Sequence, residues 1–219
     1  MYTLCAVTDR AWVDSSPAGF DTMEQQVAET IAGGATMIQL REKNASEEEF
    51  ARLAHSVKRV TDELGIPLVI NDSLAVALAC DAAGLHIGQD DGDAAETRKK
   101  IGTGKLLGVS VHTVDEALAA ERAGADYLGV GAMFPTSTKD DARAISPEVL
   151  SAICGAVRIP VLAIGGITAD NAGKLTGCGI AGIAVVSAIF SKGAGMREAT
   201  RELRAAAERA IAGERGRLS

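Results

Sequence analysis

Aromatic residues are scarce in this chain. Phe, Tyr and Trp together make up 3% of its 219 residues, against 47% hydrophobic residues overall. The core must therefore be aliphatic, built from Val, Ile, Leu and Ala, as in parallel sheets covered on both faces. No apolar run reaches the roughly 18 residues of a membrane-spanning helix, and no charged-then-apolar leader opens the chain. A cytoplasmic protein without a membrane partner is expected. No basic stripe interrupts a net charge of −7, which argues against nucleic acid as a partner. An anionic small molecule bound by so acidic a protein needs a local group of cations, or a metal. The four cysteines, Cys5, Cys80, Cys154 and Cys178, form no CxxC pair. They read as reduced, small apolar residues. No Ser/His/Asp or Cys/His arrangement marks a nucleophile with its base.

Apolar runs are present at regular intervals, near residues 3–8, 37–41, 67–71, 84–88, 106–111, 126–131, 160–165 and 182–187. Amphipathic segments fall between and after them, near 22–33, 46–64, 73–81, 93–101, 113–123, 146–154, 169–176 and 195–212. Ser46, Asp72-Ser73, Thr113 and Ser146-Pro147 supply helix starts. Gly33-Gly34, Gly65, Gly124 and Gly179 supply helix ends. Eight strand-then-helix units without a linker predict a single (β/α)8 TIM barrel over 1–219, with a frayed tail from about 213. The alternative is an open doubly wound sheet, which needs a glycine-rich fingerprint after its first strand. Asp9-Arg10-Ala11-Trp12 stands there instead. Gly102-Thr103-Gly104-Lys105 lacks the hydroxyl residue of a P-loop and precedes a strand, and Gly129-Val130-Gly131 lacks a third glycine.

In a barrel, chemistry collects at the carboxyl ends of the strands. Alternation after strand two sends Gln39, Arg41 and Lys43 to one side, with Leu40 and Glu42 to the other. The cations need an anionic ligand or carboxylate partners, an Arg41–Glu rim pair being the plain alternative. Asn71-Asp72 ends strand three, and Gln89-Asp90-Asp91 follows strand four. Carboxylates at neighbouring strand ends, without a thiolate or clustered imidazoles, form a hard oxygen site suited to Mg²⁺. Asp72 can equally be a helix N-cap, and spacing does not separate Asp90 from Asp91. After strand six, Phe134-Pro135-Thr136-Ser137-Thr138-Lys139 offers hydroxyls and an ammonium to a phosphate, or is a solvated turn. The connection 132–146 is long enough to act as a lid. Gly165-Gly166 after strand seven and Ser187 after strand eight fit a phosphate held on backbone amides, or tight turns. His55 reads as a surface residue, His86 as a supporting core residue, and His112 lies within reach of the site.

Taken in order, these segments resemble the thiamin-phosphate synthase (thiamine-phosphate pyrophosphorylase) family. The resemblance rests on Gln39-Leu40-Arg41-Glu42-Lys43, Ile70-Asn71-Asp72, Gly84 to Asp91, Gly108-Val109-Ser110, Gly124 to Tyr127, Pro135 to Lys139, Ala163 to Ile167 and Val185 to Ile189. It implies a (β/α)8 transferase that joins hydroxymethylpyrimidine diphosphate to a thiazole phosphate and releases diphosphate. It further implies that Asp72 and Asp91 hold Mg²⁺, and that Arg41, Lys43, Asn71 and Lys139 hold the diphosphate. By the same resemblance Gln39 and Ser110 would meet the pyrimidine, and Thr136, Thr138, Gly166, Val186 and Ser187 would hold the thiazole phosphate. Arg41, Lys43, Ser110 and Lys139 would carry the catalysis. The family reaction is dissociative, with a thiazole nitrogen attacking a pyrimidine cation, and so needs no protein nucleophile. Relatives often carry Arg after the Asn-Asp pair, where this chain has Ser73. A thiazole tautomerase, which would not need a complete diphosphate and metal set, and a non-catalytic barrel that binds a phosphorylated metabolite and regulates, with binding but no turnover, are the rival readings. The partners expected are small molecules. A homo-oligomer is compatible with the sequence, which leaves oligomeric state open.

Overall fold

Alternation within the apolar runs decides the architecture. The computed structural model describes residues 1–14, 20–136 and 144–213. Its strands are β1 (Leu4–Val7), β2 (Met37–Leu40), β3 (Leu68–Asn71), β4 (Gly84–Ile87), β5 (Leu106–Val111), β6 (Tyr127–Val130), β7 (Val161–Ile164) and β8 (Gly182–Val185). All pair in parallel with their sequence neighbours, and β8 returns to β1 to close the barrel. One face of each strand, with Leu4, Ile38, Leu40, Ile70, Leu85, Leu107 and Leu128, is buried under the helices. The opposite face, with Cys5, Val7, Met37, Val69, Tyr127, Leu162 and Ala184, fills the barrel. A closed parallel sheet buried on both faces is what an aliphatic, aromatic-poor composition suits.

Helices α1 (Ala11–Asp14), α2 (Met23–Ala32), α3 (Glu47–Glu63), α4 (Leu74–Ala79), α5 (Ala94–Ile101), α6 (Val114–Arg122) and α7 (Pro147–Ala156) follow the first six strands. Helices α8 (Ser187–Phe190) and α9 (Met196–Ala212) follow β8. Several begin where the sequence places caps. Ser46 and Thr22 form capping boxes with Glu49 and Gln25, Thr113 caps α6, and Ser146 caps α7 with Pro147 in the first turn.

Three expectations need correction. The segment 169–176 is not an α-helix but a single 3₁₀ turn, Ala172–Leu175. Gly173 and Gly177 weaken a helix here, and Asn171 spends its side chain on the loop before it, so only Ala172 and Leu175 are anchored in the core. Asp72 is not the N-cap of α4. Ser73 is, its hydroxyl accepting from the Val76 amide at 3.2 Å. The last strand stops at Val185, and Ser187 opens α8 instead of extending the strand. The one-turn helices α1 and α8 are too short to leave a periodic signal in the sequence.

Register places the inward-facing residues in rows. Asn71 lies opposite His86, His86 opposite Gly108, and Gly108 opposite Tyr127. Gly108 is a gap in that row. A Cβ there would lie 2.2 Å from Tyr127 Cζ and 2.4 Å from His86 Nδ1. The missing side chain lets Tyr127 and His86 meet across the intervening strand.

Candidate active site

A cavity of about 400 Å³ opens at the carboxyl ends of the strands, and all eight contribute to its wall. Val7, Gln39, Asn71, His86, Ser110, Gly129, Ile164 and Ala184 stand at the inner ends of β1 to β8 in turn. Of the residues singled out in the sequence, Gln39, Arg41, Lys43, Asn71, Asp72, Asp91, Ser110, Thr136, Gly166, Val186 and Ser187 all line it. Thr138 and Lys139 lie outside the described residues, as does much of the connection 132–146. A second hollow, beside α2 and α3, holds Arg10 and Arg52 together with Glu24 and Glu49. Its lining comes from the segments that follow β1 and β2 and from the two helices, and its charges are mixed.

The cationic wall follows from strand alternation. Leu40 is buried in the outer core, while Glu42, its side chain 2% exposed, turns away from the cavity to pair with Arg10 at 2.8 Å. Arg41 and Lys43 are thereby left on the cavity side. The Arg41 amide donates to the Thr8 hydroxyl at 3.0 Å, and its guanidinium lies 3.8 Å from the Asp9 carboxylate. The rim partner of Arg41 is thus Asp9, not a glutamate. Sequence reasoning missed Asp9 because the pairing of β1 with β2 is needed to bring the two together.

The acidic wall lies beside β2, at the ends of β3 and β4. Asp72 has φ +66°, a region that Asp and Asn tolerate better than most side chains. Its amide donates to the His86 carbonyl at 2.8 Å, which fastens the end of β3 to β4. Asp91 folds back so that Oδ2 accepts from the Gly88 amide at 2.7 Å. Asp90 also lines the cavity. Among the described residues no three or more His, Cys, Asp and Glu side chains form a metal cage. Two carboxylates with hard oxygen donors and a roomy cavity nonetheless fit Mg²⁺, which takes few protein ligands and fills its shell from water and phosphate.

Two buried chains of hydrogen bonds form the floor. The Cys5 thiol donates to Gln39 Oε1 at 3.9 Å, and Gln39 Nε2 donates to Asn71 Oδ1 at 2.7 Å. The second chain joins Tyr127, His86 and Ser110. His86 Nδ1 lies 3.1 Å from the Tyr127 hydroxyl, and Nε2 lies 2.9 Å from Ser110 Oγ. Gln89 Nε2 donates to the Ser110 carbonyl at 2.6 Å. Gln89 stands where the sequence places it, at the end of strand four, whereas Cys5 and Tyr127 are brought beside the site by sheet register.

Burial pushes the Cys5 thiol from its ordinary 9.0 up to about 12, and holds the Tyr127 phenol well above its ordinary 10.0. Both are therefore neutral at physiological pH. Both also link stability to pH. The folded chain keeps these protons at a pH where the unfolded chain has lost them. That stabilisation is complete below about pH 9 and is lost as pH rises toward about 12. The Cys5 shift alone corresponds to about 4 kcal/mol. Urea midpoints should fall from about pH 9 upward, and Cys5→Ala should flatten that slope whatever its effect at neutral pH. Identical slopes in the two proteins would remove Cys5 as a contributor.

Opposite the carboxylates, the ends of β7 and β8 carry little charge. Gly165 and Gly166 have φ +94° and +64°, and a Cβ on Gly166 would lie 2.5 Å from the Pro135 carbonyl. Asn171 braces this turn, donating from Nδ2 to the Gly166 carbonyl at 2.8 Å and accepting from the Thr168 amide at 2.8 Å. Val186 and Ser187, at the start of α8, complete the wall with Thr136. Backbone amides and hydroxyls at such a place suit one phosphate.

Comparison with known proteins identifies the family. The family model described as thiamine monophosphate synthase matches residues 4–189. A thiamine-phosphate synthase from Ruminiclostridium cellulolyticum is 51% identical over 191 residues, covering 87% of this chain and 89% of that one. One from Clostridium tetani is 50% identical over 190 residues, covering 87% and 88%. The solved thiamine phosphate pyrophosphorylase from Pyrococcus furiosus superposes with a TM-score of 0.84 at 38% identity, over 95% of this chain and 96% of that one. With its closed (β/α)8 barrel and these relatives, the chain belongs to the thiamine-phosphate synthase family.

Proposed function

We propose that this protein is a Mg²⁺-dependent transferase that condenses hydroxymethylpyrimidine diphosphate with thiazole phosphate, giving thiamin phosphate and diphosphate. The observation that carries the reading is the polarity of one cavity. Arg41, Lys43, Asn71, Asp72 and Asp91 gather on one side of it, and Gly166, Val186, Ser187 and Thr136 on the other. Such a cavity can hold two anions apart with the space between them left for two rings. Small molecules are its partners. Among the described residues no helix is long and apolar enough to cross a membrane. We place the protein in the cytoplasm as one catalytic barrel.

In this reading Asp72 and Asp91 would hold Mg²⁺, which supplies neutralising charge to the diphosphate as its bond to the pyrimidine methylene breaks. Arg41 and Lys43 stabilise the same developing charge, with Lys139 as a further cation from the lid connection. The Asn71 amide nitrogen donates to the diphosphate, because its oxygen is already taken by Gln39. Gln39 and Ser110 orient the pyrimidine. Gly166, Val186, Ser187, Thr136 and Thr138 hold the thiazole phosphate so that the ring nitrogen faces the methylene carbon. That nitrogen attacks with its own lone pair, and diphosphate departs with the electrons of the broken carbon–oxygen bond. No proton has to leave the attacking atom, so the site needs no general base. Positioning and electrostatics are the protein's contribution.

The test is direct. Purified protein with Mg²⁺ and both substrates should release diphosphate and form thiamin phosphate in equal amounts. Binding without turnover, or thiazole isomerisation alone, would replace this reading with a regulator or a tautomerase.

A further inference from the structure

We infer that Tyr127 and His86 are positioning residues that fix the Ser110 hydroxyl as a hydrogen-bond donor to a ring nitrogen of the pyrimidine. The inference rests on the reading of this cavity as the pyrimidine site. Its argument is a proton count along three side chains. Tyr127 is 1% exposed, and among the described residues His86 Nδ1 is the hydrogen-bond partner of its hydroxyl, at 3.1 Å. A buried hydroxyl with one partner donates to it, because an orphaned donor is costly. Burial also keeps that phenol protonated. If Nδ1 accepts, the neutral imidazole carries its proton on Nε2. Nε2 is 2.9 Å from Ser110 Oγ and therefore donates to it. The serine oxygen then has its own proton left to give, and Ser110 lines the cavity. Pyrimidine ring nitrogens are acceptors, so the hydroxyl and the ring match in sign.

The surroundings hold this order in place. The Tyr127 ring packs 5.5 Å from His86 on one side and 5.5 Å from Tyr2 on the other. Gly108 leaves the space in which phenol and imidazole meet, and the Ser110 carbonyl is held by Gln89. Tyr127→Phe removes the hydroxyl that donates to Nδ1. The imidazole can then carry its proton on Nδ1, with Ser110 turning its own proton toward Nε2. The serine would then present an acceptor to an acceptor.

Two readouts test the inference. The long-range nitrogen–proton NMR pattern of the His86 ring needs no turnover. It should show the Nε2–H tautomer in the wild type and a shift toward Nδ1–H in Tyr127→Phe. In kinetics, Tyr127→Phe should raise the KM for pyrimidine diphosphate about five- to tenfold, as loss of one neutral hydrogen bond does. The KM for thiazole phosphate should stay within about twofold, which a general loosening of the barrel would not allow. His86→Gln, whose amide nitrogen can replace Nε2 as donor, should recover part of the affinity that the shorter His86→Asn loses. An Nδ1–H tautomer in the wild type would overturn the inference even if the enzyme is active or if Tyr127→Phe does not fold. An equal rise in both KM values would also overturn it. A wild type with the Nε2–H tautomer but no thiamin phosphate would sink the functional reading and leave the relay standing.

Discussion

Asp91→Asn is expected to lower kcat/KM about 100-fold at limiting Mg²⁺, with part of the loss recovered at saturating metal. The substitution isolates charge. Asp91 Oδ2 accepts from the Gly88 amide, and the amide oxygen of Asn can accept the same bond, so the turn after β4 is kept. What goes is one negative charge from a pair facing the cavity. Asp72→Asn should behave alike for a different local reason. Its backbone has φ +66°, and Asn tolerates that region as Asp does. Asp72→Ala adds about 1 kcal/mol of backbone strain to the loss of charge, and so should lower stability as well as activity. Steady-state rates across a Mg²⁺ titration, with thermal melts of each variant, separate the two effects. Rates at limiting Mg²⁺ unchanged in Asp91→Asn would remove Asp91 from the metal site, and Asp90, on the same turn, would take its place for testing.

Gly108→Ala should strongly destabilise the barrel. The new Cβ would lie 2.2 Å from Tyr127 Cζ, 2.4 Å from the Tyr127 hydroxyl and 2.4 Å from His86 Nδ1. Neither ring is a flexible surface tip, since both are buried inside a closed sheet. Overpacking of this kind costs about 2–3 kcal/mol. For a chain of this size that lowers Tm by roughly 5–10 °C. Neighbouring glycines form a graded series. At Gly129 the added carbon would meet His86 Cε1 at 3.2 Å, a contact that a small shift relieves. At Gly104 nothing lies within 4 Å, and Ala should stay within about 0.5 kcal/mol of wild type. Melting curves of the three variants check the order. Gly108→Ala melting with Gly104→Ala would mean that the barrel interior has room the structure denies.

The barrel was legible in the chain because each strand is a short apolar run between polar turns, and Leu40 against Gln39 and Arg41 fixed which face turns inward. The catalytic end was legible because charge in this chain is expensive anywhere else along an apolar strand. What could not be read depends on which strands touch. Asp9 reaches Arg41 across β1 and β2, and Tyr127 reaches His86 across the empty position of Gly108. No spacing along the sequence encodes either contact. Asp72 was ambiguous because one residue type serves as helix cap, left-handed turn and metal ligand. The adjacent Ser73 removed the first role by taking the cap itself. The segment 169–176 had the polarity of a helix, but Asn171 closes the turn after β7 and leaves one 3₁₀ turn behind it.

One measurement tests the central claim most directly: a crystal structure of the protein with Mg²⁺, thiamin phosphate and diphosphate. The product should span the barrel mouth with its phosphate on the Gly166 and Ser187 side. Its pyrimidine should lie beside Gln39 and Ser110, and the diphosphate should bridge Arg41 to a metal bound by Asp72 and Asp91. Product in the reverse orientation, or diphosphate and metal away from these two carboxylates, would contradict the account.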